Sequence, residues 1–159
     1  MKFKFLFLII MVSLVGLSSC TSKSMIQPGD KIGDMIVSND LEIGIPNLNE
    51  ICTFSQLTTD TCEISGNVTK LGVSTAWGEK SQEDLEAKWP KLSWKVTIDG
   101  YPVDLEKFGT FDMEIDNMKY RAWNIAITNP TKGKHEVHYL ISYGDHPDID
   151  ELYMFTIID

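Results

Sequence analysis

Leu92-Ser-Trp-Lys-Val-Thr-Ile98 alternates apolar and polar residues without interruption. Successive side chains of a strand point to opposite faces, so Leu92, Trp94, Val96 and Ile98 share one face and Ser93, Lys95 and Thr97 the other. Asp99-Gly100 then supplies a two-residue hairpin turn, and Tyr101-Pro-Val-Asp-Leu105 returns. Pro102 suits an edge because it has no N–H to donate. The alternation recurs at 120–128 and 135–143. Trp123, Ile125 and Ile127 fall on one face of the first segment, and Val137, Tyr139, Ile141 and Tyr143 on one face of the second. Asn129-Pro-Thr-Lys-Gly-Lys134 predicts the turn that pairs them as a hairpin. Residues 152–158 form an apolar run suited to a central strand. Shorter strands are predicted at 29–37, 49–57 and on both sides of Gly66-Asn67, between Cys62 and Val73. Residues 106–117 read as an acidic loop.

One stretch changes period. Ser81-Gln-Glu-Asp-Leu-Glu-Ala-Lys-Trp89 places Leu85 and Trp89 four apart on one helical stripe, with acids in the first turn and Ser81 as N-cap. Pro90 stops it. The pattern therefore predicts an all-β antiparallel β-sandwich of about seven to nine strands with one short helix at about 81–89, in a single domain covering 29–159.

The amino terminus belongs to a different category. Lys2 and Lys4 precede a nearly unbroken apolar run from Phe5 to Val15, followed by Leu17-Ser-Ser-Cys20. That order predicts a secretory signal over 1–19. The small residues before Cys20 resemble the bacterial lipobox. The resemblance implies diacylglycerol on Cys20, a lipidated tether over 20–28, and attachment to the cell membrane or outer membrane on the extracytoplasmic side. The whole chain carries a net charge of −9. Loss of Lys2 and Lys4 lowers it by two, to −11, which argues against nucleic acid as a partner. Cys52 and Cys62 then form an even pair in an exported chain, which predicts a disulfide. Two buried thiols are the alternative.

Trp94-Lys-Val-Thr-Ile-Asp-Gly-Tyr-Pro-Val-Asp104, followed by Trp123-Asn-Ile-Ala-Ile-Thr-Asn-Pro-Thr-Lys-Gly-Lys-His135, resembles the late strands of immunoglobulin-like or fibronectin-III-like modules of bacterial exported proteins. The resemblance covers 92–158 and implies architecture rather than activity, because such sandwiches host many functions.

Candidate chemistry is sparse. Asp112, Glu114 and Asp116 alternate, as oxygen ligands of Ca²⁺ would, but without the glycine and twelfth-position Glu of an EF-hand. His146, Asp148 and Asp150 form a second acidic group that could meet a transition metal, although turn chemistry explains these residues without any ion. His135 and His138 lie on opposite strand faces. His135, at a strand start, is expected to hydrogen-bond the preceding turn. No nucleophile elbow, phosphate loop or dinucleotide fingerprint is present. Trp94 and Trp123 are expected in the core, whereas Trp77 and Tyr101 at strand ends form the candidate binding surface. These features predict a non-catalytic module that needs no cofactor and binds an envelope protein or glycan. A small metal-dependent or accessory enzyme and a structural envelope lipoprotein are the alternatives.

Overall fold

A computed structural model describes residues 23–41, 44–52, 62–144 and 149–159. Their elements, in chain order, are β1 (Lys31–Ile32), β2 (Met35–Ser38), α1 (Leu48–Ile51), β3 (Cys62–Ser65), β4 (Lys70–Gly72), β5 (Ala76–Glu79) and α2 (Gln82–Lys88). A 3₁₀ turn (Trp89–Lys91) leads to β6 (Leu92–Ile98), β7 (Tyr101–Pro102), α3 (Leu105–Phe108), β8 (Thr110–Ile115), β9 (Met118–Trp123), β10 (Ala126–Thr128), β11 (Gly133–Tyr143) and β12 (Ile149–Ile158). The protein is mostly β, as the alternation predicts, but the number of elements is larger. The expected seven to nine strands with one helix become twelve strands and three short α-helices among the described residues.

The strands form three sheets, ordered β3-β12-β11-β6-β7, β1-β2-β10-β4 and β5-β9-β8. Among the described residues, the pairings between these strands are antiparallel except that of β3 with β12. One buried cluster draws Val96, Ile98, Val137, Tyr139 and Phe155 from the five-stranded sheet and Val37, Leu71 and Ile127 from the four-stranded sheet. Apolar faces of two sheets thus close on one core, the usual solution for one-sided strands. Tyr139 ties the layers with its hydroxyl, which donates to the Val73 carbonyl at 2.9 Å. Burial pushes this phenol upward from its ordinary pKa.

The expected hairpin between 120–128 and 135–143 does not form. Residues 120–128 are split between β9 and β10, which join different sheets, while β11 pairs with β12 and β6. Asn124 fixes the crossing. Its Oδ1 accepts from the Leu41 N–H at 3.0 Å, and its Nδ2 donates to the Asn39 carbonyl. Residues 106–117 are likewise not a loop. They hold the end of α3 and the whole of β8, and Asp116 and Asn117, both at positive φ, turn β8 into β9. The segment predicted as a strand at 49–57 begins as α1, and its residues from 53 on lie outside the described ones. Gly66 and Asn67 do form a turn, but β3 and β4 go to separate sheets.

The Cys52–Cys62 disulfide is present and joins the C-terminal end of α1 to the first residue of β3. Among the described residues, no helix is long and apolar enough to cross a membrane.

Candidate functional site

Local chain signals bring three tryptophans together. Ser81 caps α2 by accepting the Asp84 N–H at 3.1 Å. Pro90 cannot extend the α-helical ladder, so the chain tightens into the 3₁₀ turn and passes directly into β6. This places Trp89 beside Trp94, with ring centroids 5.0 Å apart. Trp123, the last residue of β9 before the Asn124 crossing, completes the group at 5.3 Å from Trp89 and 6.2 Å from Trp94. The rings are mutually inclined by 40°, 46° and 84°, so no two are coplanar.

These indoles, with Pro90, Leu92, Leu105 and Glu106, line a cleft of ≈ 260 Å³. Trp94 and Trp123 were expected in the core. They pack against its edge but remain half-buried. Their Nε1 atoms are covered and lack a hydrogen-bond partner among the described residues. Glu106 is the one formally charged residue on the lining, and its carboxylate has no partner among the described residues. Beside the cleft, the Arg121 guanidinium lies 5.9 Å from the Trp89 centroid. It also donates from Nε and Nη2 to the two Asp112 oxygens at 2.6 and 2.7 Å.

The predicted surface residues lie elsewhere. Trp77 is half-buried on β5, donates to Glu79 Oε1 at 2.8 Å, and its ring lies 6.0 Å from that of Tyr143. Tyr101 carries the Lys23 ammonium 3.9 Å from its ring centroid, and Lys23 also donates to the Asp99 carbonyl at 3.0 Å. Tyr143 is opposite Leu92, while Tyr101 and Val137 are both opposite Ile98. Trp77 and Tyr101 therefore belong to opposite ends of β6 and β11, roughly 20 Å apart at ordinary strand rise, and form no common surface.

The acidic candidates are mostly engaged. Asp112 is held by Arg121, and Glu114 pairs with Lys119 across the hairpin. Asp116 occupies the turn, and Asp150 meets His138 Nε2 at 2.5 Å. Cys20, His146 and Asp148 lie outside the described residues. Among those described, no group of three His, Cys, Asp or Glu side chains is placed to hold a metal ion. His135 bonds the preceding turn as its position predicts. Its Nε2 meets the Thr131 carbonyl at 2.8 Å, and its Nδ1 meets Asp99 Oδ2 at 2.9 Å. Both ring nitrogens are thereby engaged in bracing two turns.

Two ion pairs beside the cleft carry a pH prediction. Lys88 holds the Glu79 carboxyl below its ordinary 4.5, and Arg121 holds that of Asp112 below its ordinary 3.8. The unfolded chain therefore takes up protons at these groups before the native state does. Their stabilisation is complete above the unfolded values and is lost as pH falls through the lowered native ones. Melting curves from about pH 6 to about pH 3 are expected to show a falling midpoint. The fall should be shallower in Glu79→Gln/Asp112→Asn. An unchanged slope in that variant would refute the assignment.

The chain matches no family model, no curated protein and no solved structure.

Proposed function

We propose that this chain is a lipid-anchored cell-envelope protein whose non-catalytic β-sandwich binds a partner in the tryptophan cleft. The observation that carries the reading is the convergence of Trp89, Trp94 and Trp123 on one concave surface that keeps all three half-exposed. Large, rigid aromatic side chains concentrated in a depression supply most of the energy of typical recognition sites. Mutually inclined rings favour a protein partner over a glycan, since an extended sugar chain stacks best on coplanar faces.

The immunoglobulin-like classification is part of this proposal. Two sheets closing on one core and a five-stranded antiparallel sheet with a parallel edge strand support it. The third sheet, β5-β9-β8, is an addition to the minimal sandwich. Anchoring through Cys20 rests on the lipobox resemblance and on an apolar leader that ends beside it.

Cleft variants test the binding reading. Trp89→Ala and Trp123→Ala are each expected to weaken capture of envelope peptides by about tenfold or more, the loss typical of an aromatic anchor. Trp77→Phe should leave capture unchanged. Binding that survives both alanine variants would reject the cleft. For the anchor, Cys20→Ser is expected to move the processed protein from the membrane to the soluble fraction. Retention of a chain whose N-terminal mass proves leader removal would contradict lipidation.

A further inference from the structure

We infer that the tryptophan cleft receives a cationic side chain, Lys or Arg, presented by a peptide or protein partner, with Glu106 as its counter-charge. This rests on the binding reading above and names the chemistry of the ligand.

The ring faces and the one carboxylate of the lining have the same sign. The faces of the three indoles carry the negative lobe of the ring quadrupole. Glu106 adds a full negative charge, and among the described residues no Lys, Arg or His lines the cleft. Two acids beside the cleft already have cationic partners. Glu79 pairs with Lys88 and Asp112 with Arg121, whereas the Glu106 carboxylate has no partner among the described residues. The Arg121 guanidinium lies 5.9 Å from the Trp89 ring centroid. Bidentate bonding commits that guanidinium to Asp112, so it leaves the Glu106 charge unanswered. The net charge of −9 extends the attraction to longer range.

The apolar part of the lining selects among cations. Leu92, Leu105 and Pro90 offer a surface for a hydrocarbon stem, and Glu106 and the ring faces offer a place for its charged end. Lys and Arg have this two-part form, with a methylene stem that buries and a head that stays polar. A compact ammonium ion lacks the stem.

The full chain in detergent micelles, followed by tryptophan fluorescence, tests the assignment. The probes are an acetylated, amidated glycine peptide with one central lysine and its norleucine counterpart, which keeps the stem without the charge. The lysine peptide is expected to give a saturable change that weakens with added salt, and the norleucine peptide to bind about tenfold more weakly. Glu106→Gln should bring the lysine peptide down to the norleucine level without altering the norleucine response. Glu83→Gln, at an exposed site on α2, should alter neither. Equal affinity for the two peptides, or indifference to Glu106→Gln, overturns the cationic assignment. A neutral chito-oligosaccharide bound instead, and lost in Trp123→Ala, overturns it while leaving the binding reading intact. A cleft silent to every probe overturns both.

Discussion

Phe155→Ala is expected to destabilise the protein by about 3–5 kcal/mol, through lost transfer energy and a cavity that the sheet cannot collapse. Phe155 is completely buried on β12. It stands in register with Cys62 on one side and His135 on the other, its ring 5.4 Å from the imidazole. Removing it therefore loosens the edge strand and the braced turn together. Against a total stability of about 5–15 kcal/mol for an ordinary domain, such a loss removes a large fraction. Met154, one residue earlier, faces outward, 36% exposed. Met154→Ala should cost about 1 kcal/mol or less. Urea midpoints of the two variants check the prediction, and equal shifts would show that the assigned faces of β12 are wrong.

Breaking the Cys52–Cys62 bond is expected to cost about 3 kcal/mol, the entropy released to the unfolded chain by opening a loop of this length. The sequence separation is 10 and the Cα atoms lie 5.5 Å apart. The native consequence is local. β3 is a four-residue edge strand that buries Ile64 as its one fully covered side chain, so among the described residues β12 and the disulfide are its main supports. Denaturation with and without reductant, and of Cys52→Ala/Cys62→Ala, measures the cost. Hydrogen exchange should show protection lost first in β3. A change below about 1 kcal/mol would show that the bond constrains nothing in the unfolded chain.

Local signals were legible where chemistry and geometry coincide within a few residues. The helix cap at Ser81, the stop at Pro90, the alternation of β6 and the turn at Asp99-Gly100 were all readable from the chain, and His135 bonds the turn expected of it. Sheet membership was not legible. Alternation reports which side chains share a face, but not which strand lies alongside, so 120–128 read as one strand though it serves two sheets. Asn124 carried the missing signal, as a residue depleted from strands sitting amid apolar neighbours with an amide able to bond two backbone groups. Acid content concealed β8. Phe111, Met113 and Ile115 alternate with Asp112 and Glu114, and the acids are answered by Arg121 and Lys119 across the hairpin. For the cleft, spacing places Trp89 and Trp94 on separate apolar stripes. Their meeting with Trp123 depends on three separate elements and has no signature in spacing.

The docking of Lys23 on the Asp99-Gly100 turn gives the molecule a root and a head. Gly133 and Ile157, near the carboxyl end, are paired at that same root, and the tryptophans stand at the other end of β6. The seven residues of β6 make that separation roughly 20 Å. A lipid on Cys20 would hold the root against the bilayer and point the head outward. The domain would then sample molecules arriving from the surrounding compartment rather than neighbours embedded in its own leaflet, and a label or surface coupled at either root position would leave the mouth clear.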